Sequence, residues 1–314
     1  LLLLSLLSCV PSGEDANNTA GIEKKGKIGT TCMDLTNPFF KLIANVMSEE
    51  AAKQGYDLVA LDGALDSAKQ NSQLSDFAAQ GYDAVFLNPV DSEAVGEGIK
   101  KLHASGIPVF TFDIQVSAAE AKDLVVSHIG SDNYQGGQLA GASMIKAIGK
   151  QGKIAILGLP EVSSCVLRVN GFKDHLASAG ASLEIVTELN GKGNRTDGFA
   201  VTNDILQAHP DIRGIFAIND PSGLGAYAAV AKANRTDDIT IVAFDASPAG
   251  KQGVFEGKLF DTPQQFPRKM ASGTVNAFLR YLEGDDVEKK IFIPCAHYDL
   301  ETATNDETRE RDQW

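Results

Sequence analysis

From Lys27 onward the chain alternates short, almost wholly apolar runs with stretches of helical spacing, and this alternation leaves few folds open. Runs of strand length fall at 28–33, 57–61, 84–87, 109–112, 125–129, 154–157, 183–186, 214–218 and 239–244. Between most of them lie segments such as 68–80, 93–105 and 135–150, in which apolar residues recur three and four positions apart. Strands that are apolar on both faces and joined by helical crossovers predict a parallel sheet covered by helices on each side. A local echo agrees: Gly55-Tyr56-Asp57-Leu58-Val59 and Gly81-Tyr82-Asp83-Ala84-Val85 each put a glycine where a helix ends and a strand begins.

At 314 residues the chain exceeds one ordinary core, so two domains are expected. The spacing of Met270, Val275, Phe278, Leu279 and Leu282 adds a late helix, followed by a strand near Ile291. This tail has no sheet of its own and is expected to return to the first domain. Several crossings between two domains make a hinge.

The start of the sequence differs in kind. Residues 1–8 form an apolar run too short to span a bilayer and read as the remainder of a secretion signal. Leu6-Leu7-Ser8-Cys9 resembles a bacterial lipoprotein box, which implies acylation of Cys9, and residues 9–25 then read as a lipidated tether. With Cys9 set aside, Cys32, Cys165 and Cys295 are odd in number, so no disulfide framework is implied. Cys32 falls in a strand run and reads as a small core residue. The net charge of -13, with no basic block, argues against a nucleic-acid partner.

Open parallel sheets hold ligands at the carboxyl ends of their strands. There the chain carries Asn37, Asp62, Asn88, Asp113, Asp132, Asn219 and Asp245. Each alone is more often a cap or turn residue. Asn37 suits a helix N-cap and Pro38 the first helical position, which puts Phe39 and Phe40 in the first turn. Those rings either pack on the sheet, as Ile43 and Met47 do, or face a ligand. Taken together, amides, carboxylates and aromatic rings suit a polyol, whose C–H faces pack on a ring while its hydroxyls need oriented partners.

Asn37-Pro38-Phe39-Phe40, Asn88-Pro89-Val90-Asp91-Ser92, Ser127-His128-Ile129-Gly130-Ser131-Asp132-Asn133, Phe216-Ala217-Ile218-Asn219-Asp220 and Val242-Ala243-Phe244-Asp245 stand in an order that resembles the periplasmic ribose-binding proteins. The resemblance covers about residues 26–295. It implies an α/β type I periplasmic binding protein, with two doubly wound parallel-sheet lobes joined by a three-crossing hinge and a sugar held between them for an ABC importer. The lobes would be 26–131 plus 266–293 and 132–265 plus 294–314. The protein would be a monomer of the periplasm or cell envelope, touching the membrane only through its lipid, with no cofactor, metal or catalytic residue.

Carried over residue by residue, the resemblance implies that Asn37 bonds a hydroxyl and that Phe39 and Phe40 wall the sugar. Asp113, Arg168, Asn219 and Asp245 would bind hydroxyls or the ring oxygen, with Gln265 beside a hinge crossing. Without the resemblance, Arg168 reads as an ordinary helix-surface arginine. Two positions depart from the pattern. Ile114 stands where ribose binders carry arginine, and Gly193 where the second lobe contributes an aromatic. Both imply that ribose is not the best ligand, and that a larger sugar, a deoxy sugar or a polyol fits better, with Arg195 reaching in. The Phe pair would then be the main apolar platform, and its truncation would damage binding more than folding.

Other classes fit less well. Gly223-Leu224-Gly225-Ala226-Tyr227-Ala228 matches a dinucleotide fingerprint in form, but begins four residues beyond the strand end at Asn219, inside a predicted helix. Neither an NAD-dependent nor a hydrolytic enzyme finds its motif. A sugar-responsive repressor needs a basic headpiece where this chain has an apolar start. A sensor that presents bound sugar to a chemoreceptor or histidine kinase is the nearest alternative.

Overall fold

The computed structural model describes residues 24–307 and 314; the export segment at 1–8, Cys9 and nearly all of the tether lie outside them. The first half runs β1 (Gly26–Cys32), α1 (Pro38–Lys53), β2 (Tyr56–Asp62), α2 (Ser67–Gln80), β3 (Ala84–Leu87), α3 (Gly96–Ala104), β4 (Val109–Phe112) and β5 (Val125–Ser131). It continues with α4 (Asn133–Ile148), β6 (Gln151–Gly158), α5 (Ser163–Ser178), β7 (Ser182–Asn190), α6 (Arg195–Ala208), β8 (Ile212–Ala217), α7 (Asp220–Lys232) and β9 (Thr240–Val242). The last part holds α8 (Pro248–Phe255), α9 (Pro267–Leu282), β10 (Lys290–Ile293) and α10 (Leu300–Asn305).

Two parallel sheets result, of order β10-β5-β4-β3-β1-β2 and β7-β6-β8-β9. The chain leaves the first sheet after Ser131, returns through Gln265 and Phe266 into α9, and leaves again after Ile293. The reason for the return is apolar: Met270, Ala271, Val275 and Phe278 of α9 share a buried cluster with Phe40, Ile43 and Met47 of α1 and with Phe86 and Phe110 of the sheet. On the other side, Tyr298 and Ala303 join the cluster formed by Ile215, Ile241 and Val254. Bridges from Asp261 and Gln264 to Asp299 and Ala296 extend the second sheet with the two hinge-side segments.

Local signals explain the element ends. Asn37 accepts the Phe39 amide at 3.0 Å and caps α1, with Pro38 in its first turn. Gly81 ends α2 at φ 67°, which a residue without Cβ adopts freely. Several strands depart from the expected lengths, and two of them show why. The β7 strand runs to Asn190 because an edge strand needs ladder partners on one side only and tolerates Thr187 and Glu188. The β9 strand stops at Val242, and the chain turns at Asp245 and Ala246, both of positive φ.

The glycine-rich run that imitated a dinucleotide fingerprint lies within α7. A Cβ at Gly225 would collide with the Arg195 carbonyl, and one at Gly198 would crowd the Ser222 backbone. These glycines let α6 and α7 touch, and they cradle no phosphate. Cys32, Cys165 and Cys295 are buried free thiols.

Candidate ligand-binding site

The carboxyl ends of both sheets face a cavity of about 120 Å³ between the lobes. Asn37, Phe39, Phe40, Asp113 and Ile114 line it from one side. Arg168, Gly193, Asn219 and Asp245 line it from the other, with Gln265 at a hinge crossing. Arg195 is not part of this lining; as the first residue of α6 it is solvent-exposed.

Arg168 is no surface residue: it is 4% exposed. Its Nε donates to Asn133 at 2.7 Å, and its Nη1 donates to the Ile218 carbonyl at 2.7 Å and to Asp245 at 3.0 Å. The guanidinium carbon sits 3.9 Å above the centre of the Phe244 ring, a cation–π contact strengthened by burial. A helix brings it so deep because α5 lies directly on α4. A Cβ at Gly171 would strike the Tyr134 carbonyl, and one at Gly137 the backbone of Arg168 itself.

The two carboxylates are held in unusual backbone. Asp113 has φ 59° and Asp245 φ 112°, conformations that cost a non-glycine residue about 1–3 kcal/mol. Asp245 takes the Arg168 bond and a 2.6 Å bond from Gln265 Nε2. Asp113 receives one bond of 3.4 Å from Asn88 on Oδ2, while its Oδ1 has no partner. Gln265 Oε1 is likewise buried without a partner. Burial pushes both aspartates up to about 6, against the pull of Arg168. Two buried acceptors beside a cavity are ready for donors that the protein does not supply.

The amides are partly committed. Asn219 caps α7 through the Ser222 amide at 3.0 Å and donates to the Gly193 carbonyl at 2.8 Å, so it fixes the Gly193 turn. Asn37 keeps its Nδ2 while its Oδ1 caps α1. Phe39 and Phe40 meet edge to face at 5.3 Å between centroids. Both line the cavity, yet they are only 5% and 7% exposed and belong to the core of the first lobe. The rings are thus core residues that also border the cavity, and the expectation that truncation would damage binding more than folding does not fit such burial.

Three strand-end residues serve structure. Asp62 accepts the Leu35 and Ala64 amides, Asn88 ties Met33 to Phe112, and Asp132 caps α4. Conversely, Met33, Leu159 and Val162 contribute an apolar wall, into which Ile114 inserts at 1% exposure. Met33 and Leu159 too lie just beyond strand ends, but as apolar residues they carry no sequence signal that separates cavity wall from core. Trp314, with its ring 4.9 Å from Phe39 between centroids, carried no sequence signal. The lobes also bond directly beside the cavity, where the Ser163 amide donates to Ser92 Oγ at 3.1 Å and Ser163 Oγ donates to the Gln115 carbonyl at 2.9 Å.

The chain is similar to known proteins over most of its length. The family described as periplasmic binding protein domain matches residues 28–286. The ribose import binding protein RbsB of Bacillus subtilis is 33% identical over 295 residues, covering 94% of each chain. A periplasmic solute-binding protein of an ABC transporter from Actinobacillus succinogenes, solved with bound D-allose, superposes with a TM-score of 0.82 at 26% identity, covering 90% of this chain and 100% of that one. Another from Bacillus halodurans, solved with myo-inositol, gives 0.83 at 26% identity, covering 93% and 100%. The two parallel sheets agree with these matches: the chain belongs to the periplasmic binding protein family.

Proposed function

We propose that this protein binds a monosaccharide or related polyol between its lobes and delivers it to the permease of an ABC importer. The observation that carries this reading is the pair of buried, unpartnered acceptors, Asp113 Oδ1 and Gln265 Oε1, beside the Phe39 and Phe40 rings and the Arg168 guanidinium. Hydroxyl protons satisfy the acceptors, a sugar C–H face packs on the rings, and Arg168 serves ligand oxygens with the donors that Asn133, Ile218 and Asp245 leave over. Asn37, Asn219 and Asp245 complete the contacts. A ligand that touches lobes 26–131 plus 266–293 and 132–265 plus 294–314 together favours the closed state by its differential affinity.

D-Ribose is not the best ligand in this reading. Ile114 and Gly193 leave a hydroxyl without a donor and a ring without a stacking face, and an unpaired buried polar group costs about 1–3 kcal/mol. Calorimetry with D-ribose, D-allose and myo-inositol, beside the mass of any small molecule that co-purifies, tests the proposal. Silence from every sugar and polyol, or turnover of a substrate, would sink it. The periplasmic location belongs to the family, and we further place a lipid on Cys9; mass spectrometry of the membrane-bound protein reads it directly.

A further inference from the structure

A second and larger space, about 450 Å³, adjoins the cavity. Asp34, Asn37, Gly193, Asn194 and Asp245 line both. The far walls of the second are Pro38, Pro221 and Pro248, with Trp314, Arg268 and the exposed Ala249 around them. Three proline walls, each at the start of a helix, make a rigid frame.

Gly193 is one of the five residues that border both spaces, and it brings no side chain to their junction. Its φ of 66° belongs to glycine, and a Cβ there would meet only Asn219 Nδ2 at 3.3 Å and Leu159 Cδ2 at 3.4 Å. No side chain therefore divides the spaces at this point. The aromatic wall continues across the junction as well. Phe40, Phe39 and Trp314 form a row at 5.3 and 4.9 Å between centroids, so that Phe39 borders the first space and Trp314 the second.

We propose that the second space is a subsite for a second ring joined to the bound sugar through a glycosidic link, so that the protein takes a glycoside or disaccharide in preference to the free monosaccharide. This rests on the sugar-binding reading above. The first ring occupies the polar chamber between Asp113, Arg168 and Gln265. The glycosidic oxygen passes Gly193, and the second ring packs its C–H face on Trp314. The Arg268 guanidinium and the Asp34 carboxylate give that ring a donor and an acceptor for its hydroxyls.

The test is calorimetry with three pairs of probes: D-ribose and phenyl β-D-ribofuranoside, D-allose and phenyl β-D-allopyranoside, and myo-inositol and galactosyl-myo-inositol. In at least one pair the two-ring compound is expected to bind about tenfold tighter, which is about 1.4 kcal/mol. Ala249→Trp fills the second space from an exposed position; it should erase that advantage and leave the parent compound's Kd unchanged. Trp314→Ala should reduce the advantage as well. The inference is overturned if the parent compounds bind and no two-ring compound binds tighter, or if the advantage survives in Ala249→Trp. If no sugar or polyol, of one ring or two, binds, the sugar-binding reading falls and takes this subsite with it.

Discussion

Arg168 Nη1 lies 3.0 Å from Asp245 Oδ1, and both side chains are nearly closed to solvent although 77 positions separate them in the chain. Charges so buried are stable only as a pair, because each taken alone would meet a large desolvation penalty. Arg168→Met should therefore destabilise the fold by about 3–5 kcal/mol by stranding Asp245. The double variant Arg168→Met with Asp245→Asn should recover most of that loss without recovering ligand binding. Urea denaturation and calorimetry on the three proteins separate the two effects. Equal stability of the single and double variants would show that the pair is not the reason.

Gly171 lets α5 lie against α4, and so sets the depth of Arg168. Gly171→Ala has no room to keep this contact, because its Cβ would strike the Tyr134 carbonyl. A loss of about 1–3 kcal/mol in stability is expected, together with weaker ligand binding, although the residue touches no ligand. Thermal melts and calorimetry read both. Unchanged affinity would mean that Arg168 is held by its hydrogen bonds alone.

Phe40 is both core and cavity wall. Phe40→Ala should cost about 3–5 kcal/mol of stability as well as affinity. Phe40→Leu fills much of the same volume and should keep the melting temperature within a few degrees, while removing the flat surface a sugar packs on. A Leu variant that binds as well as the native protein would assign the ring to packing only.

Burial raises Asp113 and Asp245 from 3.8 to about 6. For a carboxylate raised in the folded state the sign is unusual: the folded protein binds more protons than the unfolded one between these values. The contribution of these two groups to stability is therefore present below 3.8 and is lost as pH rises through about 6. Ligand hydroxyls that donate into the carboxylates favour their ionised form. Binding should then release protons at about pH 5.5, and affinity should rise towards about pH 7 and level off. Calorimetry in two buffers of different ionisation heat counts the protons. Proton uptake on binding would contradict the assignment of these groups as acceptors.

Much of the molecule obeys local rules. The apolar runs and helical spacings dictate strands and crossovers, and a parallel sheet gathers the residues just beyond each strand at one edge. That is why the sequence alone groups Asn37, Asp113, Asn219 and Asp245, together with Asp62, Asn88 and Asp132. The same rule cannot rank its own members. Asp62, Asn88 and Asp132 stand at equivalent places and spend their oxygens on turns and caps, as Asn37 and Asn219 also do, but only the latter two reach the cavity, because that depends on how the loops pack.

The two-lobe fold, the caps at Asn37 and Gly81, and the edge at which a ligand can sit were all legible in the chain, since they arise from contacts a few residues apart or from the period of the pattern. Packing within and between the lobes was needed to bury Arg168 against Phe244 and pair it with Asp245, to set Ile114 into the apolar wall of the opposite lobe, and to let Trp314 extend the row begun by Phe39 and Phe40. Burial and electrostatic pairing belong to residues distant in sequence. No local period records them, and only the packed lobes bring their desolvated charges and rings together.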